Sequence, residues 1–290
     1  MNKTTIARLL GTVLLAAAAQ AQADISWTFD SNTGSGQTSG YTTIDSTSVS
    51  QTADGVKATA QGWSNTNNGV TSGTGASGPL GSSSLATSGS YKLETAYLTV
   101  YDGGIGTKNR DASSSTSYGD YNENNQPEHA VDNNQRYDSV LFTFDSAVDL
   151  NSVSLGYVSN DSDISVLRFD NDDGAASTTN IAGLTYAELL TKGWNLVGQL
   201  GTSSTYTKDL DGSQTSSYWL IGAANPLLGT TSDGNKDNVK ILALAGTKYV
   251  PPCTPGTPGC GDNNVPEPGT LLLLGIGLVG MTRMTLRKAA

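Results

Sequence analysis

The chain has 290 residues with 16 Lys and Arg against 26 Asp and Glu, a net charge of −10 and a single histidine. An acidic surface repels phosphate backbones, so nucleic acid is excluded as a natural partner. Gly, Ser, Thr and Asn dominate, which disfavours long helices and suits short strands between polar loops.

Met1–Ala23 combines Lys3 and Arg8, an apolar stretch from Leu9 to Ala19, and small residues at Ala21 and Ala23 ahead of Asp24. This is the pattern of a secretory signal peptide cut between Ala23 and Asp24, and it implies export through the Sec pathway and signal peptidase. With both ends removed, Asp24–Pro268 keeps 11 basic and 26 acidic residues, a net of −15.

Alternation at Ile25, Trp27 and Phe29 predicts a first strand, followed by short strands at Ile44–Ser50 and Val56–Trp63 and a loop at Ser64–Ser90. Tyr91–Tyr101 alternates more strongly, and Asp102–Asn125 reads as loop. Ser139–Asp145 places Val140, Phe142 and Phe144 inward. Val148–Val158 sets Val153, Leu155 and Tyr157 on one face, and Asp163–Phe169 follows. Thr185 and Glu188 have capping-box spacing, so Tyr186–Lys192 is expected to be one short helix closed by Gly193. Trp194–Leu200, Ser217–Ala223 and Asn238–Ala245 complete the strands. The regular strand spacing predicts an all-β domain over residues 24–249, a β-sandwich or jelly roll with one short helix. Residues 250–264 form a Pro/Gly-rich linker.

The C-terminal stretch has a different texture. Pro266-Glu267-Pro268 forces an extended backbone. An apolar run Leu271–Met281 follows, and Arg283, Arg287 and Lys288 close the chain. Those basic residues orient the run with its end in the cytoplasm. The run is short for a permanent span, since a bilayer core of about 30 Å needs about 20 apolar residues. Tripeptide, hydrophobic helix and basic terminus in this order resemble the PEP-CTERM sorting signal over residues 265–290. The resemblance implies removal of the tail by a membrane protease-transpeptidase, exosortase, after transient anchoring in the inner membrane. It places the protein at the cell surface or in the extracellular matrix or biofilm of a Gram-negative bacterium. A retained membrane anchor is the competing reading.

Pro127-Glu128-His129-Ala130-Val131-Asp132-Asn133 and the strands behind it, through Asp237-Asn238-Val239-Lys240, are similar to a group of exosortase-dependent surface proteins without an established activity. His129 has the chemistry for a base, a metal ligand or a structural hydrogen-bonder. No nucleophile elbow or zinc-binding helix accompanies it, so the structural role is expected and no catalytic residue is assigned. Asp161, Asp163, Asp170 and Asp172 sit at strand ends and offer hard oxygens for calcium. The competing account is turn chemistry, in which Asp and Asn cap their own backbone. Cys253 and Cys260 match neither a zinc nor a redox spacing and are expected to close a small disulfide loop in the linker. The reading taken is a non-enzymatic surface or matrix protein without a cofactor. A carbohydrate- or calcium-binding module of the exopolysaccharide layer is the alternative, with Trp63, Trp194 and Trp219 as the aromatic candidates for a sugar platform.

Overall fold

The computed structural model describes residues 24–31, 48–67, 91–109, 129–134, 136–170, 178–201, 206–210, 214–229 and 233–250. The strands are β1 (Ile25–Thr28), β2 (Val49–Ala53), β3 (Val56–Asn67), β4 (Lys92–Tyr101), β5 (Gly104–Lys108) and β6 (Val131–Asp132). They continue as β7 (Asp138–Asn160), β8 (Ile164–Phe169), β9 (Trp194–Leu200), β10 (Thr207–Asp209), β11 (Thr215–Ala223) and β12 (Asp237–Lys248). One helix, α1 (Tyr186–Leu189), interrupts them, and Pro226–Leu228 makes a 3-10 turn.

The fold is organised by β7, whose 23 residues join the two strands expected at Ser139–Asp145 and Val148–Val158. Its first part, Asp138–Phe144, pairs with β3 on one side and β11 on the other. Its second part, from Val148 to Asn160, pairs with β12, and Ser152–Ser154 pairs with β10. A strand that changes partners along its length turns a corner between sheets. The circuit then closes, because β3 pairs with β4, β4 with β5, and β5 with β12 at Ile105 and Ile241. The all-β expectation holds. The pairing forms a small closed barrel with added strands, and it does not by itself establish the expected sandwich or jelly roll.

Two irregularities in β7 decide which side chains face inward. Ala245 pairs with Ser152 and Gly246 with Leu150, leaving Asn151 as an extra residue. This bulge lets Val148 and Leu150 before it, and Val153 and Leu155 after it, all reach the interior. A second shift leaves Gly156 unpaired between Leu155, opposite Ile241, and Tyr157, opposite Lys240. Tyr157 therefore departs from the face of Val153 and Leu155, correcting the simple alternation expected for this strand.

The centre of the sheet, where the first part of β7 lies between β3 and β11, is buried on both faces. The interior holds Val140, Phe142, Phe144, Val166 and Ile221, joined by Trp27 and Phe29 from the β1 region. Trp27 meets Phe144 edge-on at 4.9 Å and donates its indole N–H to the Val56 carbonyl at 2.9 Å. The opposite face holds Leu93, Leu141, Leu167 and Leu220, covered by Ile181, Tyr186, Leu189 and Leu228. Runs such as Val140-Leu141-Phe142 follow from double-sided burial. The capping box at α1 forms as expected: Glu188 N–H donates to the Thr185 hydroxyl at 3.1 Å, and Thr185 N–H donates to the Glu188 carboxylate at 2.7 Å. α1 ends at Leu189, shorter than the expected Tyr186–Lys192, and Gly193 lies beyond it with a positive φ of 86°.

Other boundaries differ. β3 runs through Ser64–Asn67, β5 falls in a stretch expected as loop, and β6 had no predicted counterpart. β10 was not foreseen. No helix among the described residues is long and apolar enough to cross a membrane.

Candidate functional site

The β4–β5 turn, the His129 segment, β7 and β12 converge on one pocket of about 370 Å³, lined by Tyr101, Asp102, Gly103, His129, Gly156, Tyr157 and Lys240. Glycines permit the convergence. A Cβ on Gly106 would lie 2.0 Å from the His129 carbonyl oxygen, and one on Gly156 would lie 2.4 Å from that of Gly103. Ala130, next to His129, is fixed to β5 by its carbonyl, which accepts from Thr107 N–H at 3.2 Å and from the Thr107 hydroxyl at 2.8 Å.

Lys240 reaches this pocket because the Gly156 bulge turns its register partner Tyr157 the same way. Its ammonium stands 3.9 Å from the Tyr157 ring centroid and 4.6 Å from that of Tyr101. The residue is only 4 % exposed, and no carboxylate among the described residues forms an ion pair with it. Burial lowers its pKa to about 8. His129 packs edge-on against Tyr101 at 5.8 Å and tilted against Tyr157 at 6.5 Å. Burial first, and the Lys240 charge second, lower its pKa to about 4, so the imidazole is neutral at physiological pH. The Ser31 hydroxyl donates to the Asp102 carboxylate.

A second constellation lies where β7, β8 and β12 meet. Oxygens of Asp161, Asp163 and Asp237 all lie within 4.8 Å of one another. Asp237 is buried and well bonded: its carboxylate accepts from Asp163 N–H at 2.8 Å and from the Asn133 side-chain amide at 2.5 Å. Its own N–H donates to the Asn133 side-chain carbonyl at 2.9 Å. Burial raises the Asp237 pKa to about 7; the Asp163 N–H opposes this, and repulsion from Asp163, Asp161 and Asp233 adds to it. Asn235 bridges the rim, donating to Asp161 at 3.1 Å and to Asp233 at 2.6 Å. Three carboxylates this close can share a divalent cation or a proton.

The expected site residues are thus divided. Asp161 and Asp163 come together with Asp237, which sequence reasoning had not offered as a ligand. Asp170 sits elsewhere, held by Arg168 at 2.7 Å beside a larger cavity of about 590 Å³ lined by Phe169, Tyr218 and several hydroxyls. Asp170 is therefore not part of the Asp161–Asp163–Asp237 cluster, and Asp172 lies outside the described residues. Asp132 is buried and accepts from Asn134 N–H at 2.7 Å, and it pairs with β12 through its backbone. Trp63 and Trp194 are buried in the core on the opposite face and Trp219 in the interior, so none offers a sugar platform. The pocket residues Tyr101, Asp102, Tyr157 and Lys240 were also missed. Their sequence signals were the glycine texture of Gly103-Gly104-Ile105-Gly106 and Gly156 and, for Lys240, its place in the Asp237-Asn238-Val239-Lys240 stretch.

Asp24 precedes β1 directly and accepts from the Asn151 side chain at 2.6 Å. Ala21, Ala23, Pro127, Glu128, Cys253, Cys260, Pro266, Glu267, Pro268, Arg283, Arg287 and Lys288 lie outside the described residues.

No curated protein and no solved structure matches the chain. Residues 264–288 match the family model of the PEP-CTERM protein-sorting motif. This interval contains Pro266-Glu267-Pro268, the apolar run and the basic cluster. The chain therefore carries a PEP-CTERM protein-sorting motif near its C-terminus, a motif that implies exosortase-dependent sorting of an exported protein.

Proposed function

We propose that this protein is a non-enzymatic component of the surface or extracellular matrix of a Gram-negative bacterium, released from a transient inner-membrane anchor. The observation that carries the reading is the sorting motif at residues 264–288 behind a domain that is all-β and strongly acidic. An acidic domain stays soluble outside the cell and disfavours nucleic acid. The chemistry around His129 suits a binding role: its pocket presents the Lys240 ammonium between two tyrosine rings, with the Asp102 carboxylate at its rim.

The test is the mass of the mature protein from its native host. Cleavage near Pro268 gives a product lacking Leu271–Ala290; a mass that retains this segment overturns the processing. Replacing Pro266 and Pro268 by alanine lets helix run back over the extended backbone that a protease grips. The precursor then accumulates in the inner membrane. Replacing Arg283, Arg287 and Lys288 by glutamine removes the orientation signal and weakens retention before cleavage.

A second reading, calcium binding, is favoured by the approach of Asp161, Asp163 and Asp237. Calcium at a hundred times its Kd stabilises a fold by about 2.7 kcal/mol. Thermal melts with millimolar calcium and with chelator should then differ by several degrees, and identical melts reduce the cluster to strand-end hydrogen bonding.

A further inference from the structure

We propose that the pocket between Lys240, Tyr101, Tyr157, His129 and Asp102 binds an acidic sugar, a hexuronate residue, with its carboxylate on the Lys240 ammonium. The argument starts from Lys240. An ammonium taken out of water costs several kcal/mol. Here that charge meets two tyrosine faces and a neutral imidazole, and no carboxylate among the described residues. Cation–π contact recovers about 0.5–2 kcal/mol, less than the cost of burial. The depressed pKa of Lys240 is the mark of that deficit. An anion entering the pocket supplies the missing partner through a charge-assisted hydrogen bond.

The remaining lining narrows the anion. Tyr101 and Tyr157 give apolar ring surface beside the cation, and Asp102, exposed at the rim, accepts hydrogen bonds from hydroxyl donors. A purely aliphatic acid leaves Asp102 unused, and a phosphate ester brings two charges toward it. A uronate carries one carboxylate, several hydroxyls and an apolar ring face. The volume of about 370 Å³ lies at the small end of ligand pockets, about 300–1,000 Å³, and holds a single sugar ring. Gly103 and Gly156 let the two backbones that line the pocket approach closely, since a Cβ on Gly156 would lie 2.4 Å from the Gly103 carbonyl oxygen.

This inference rests on the extracellular reading only for the source of the ligand, an acidic polysaccharide. Its test is independent of tail processing. The full chain, purified in mild detergent, is titrated calorimetrically with D-glucuronate, D-glucose and acetate at neutral pH. Glucuronate should bind at least about tenfold more tightly than either of the others, the gain of one charge-assisted contact together with the ring contacts. Lys240→Met keeps the length and removes a buried charge, a change that cores tolerate. It should erase the preference over glucose while leaving the circular dichroism spectrum unchanged. Equal binding of glucose overturns the role of the cation, and equal binding of acetate overturns recognition of a sugar. Absence of glucuronate binding to the unaltered chain overturns the site, whether or not Lys240→Met folds. A retained tail, by contrast, refutes processing and leaves this binding result standing.

Discussion

Gly106→Ala isolates the close approach on which the pocket depends. The added Cβ would lie 2.0 Å from the His129 carbonyl oxygen, 2.8 Å from its carbon and 2.9 Å from the Ala130 Cα. All three are backbone atoms, so no side-chain rotation relieves the contact and the segment must lift from β5. Overpacking of this kind costs about 1–3 kcal/mol. Lifting also stretches both hydrogen bonds from Thr107 to the Ala130 carbonyl, at about 1 kcal/mol each. The sum is about 3–5 kcal/mol. For a domain of this size each kcal/mol moves Tm by about 2–4 °C, so a fall of about 10 °C is expected. Gly198→Ala is the matched control. A Cβ there meets only the Leu200 side chain at an ordinary 3.5 Å, and the lower entropy of the unfolded chain makes the change neutral or slightly stabilising. The assay is urea or thermal unfolding of both variants. A Gly106→Ala protein within about 0.5 kcal/mol of the control would refute the close packing of the His129 segment on β5.

The Asp237 carboxyl keeps its proton to about pH 7 in the fold, whereas an unfolded aspartate loses it near pH 4. Between these values the folded state binds more protons, so this group makes stability fall as pH rises. Asp237→Asn removes that contribution, and its Tm should change less between pH 5 and pH 8 than that of the parent; an unchanged slope refutes the assignment. Thr185→Ala removes the hydroxyl that accepts from Glu188 N–H and should cost about 1 kcal/mol in urea unfolding. No loss would mean that core packing alone holds α1 against the sheet.

What was legible in the sequence was local. The Thr185–Glu188 capping box and the alternation of Ile164, Val166, Leu167 and Phe169 each lie within a few residues, and the fold reproduces them. β5 was illegible because Gly104-Ile105-Gly106 has turn composition; it is a strand only because neighbouring backbones need the space a glycine leaves. The bulge at Asn151 has no signal within β7, and the one at Gly156 is marked there only by the glycine itself. They arise from its register against β12, some 80 to 95 positions further along the chain.

The same distinction separates the two kinds of function. The sorting motif is written in linear order, as Pro266-Glu267-Pro268, an apolar run and a basic cluster, so it is legible in the sequence alone. The Lys240 pocket and the aspartate cluster exist only after β7 and β12 settle into register. Asp163 and Asp237 are 74 positions apart, yet one donates its N–H to the other's carboxylate. A one-residue slip between these strands would turn Lys240 toward the core and Ile241 toward water, exchanging a charged pocket lining for an apolar one. The hydrophobic interior that holds Ile241 in place is therefore also what keeps the Lys240 ammonium between Tyr101 and Tyr157.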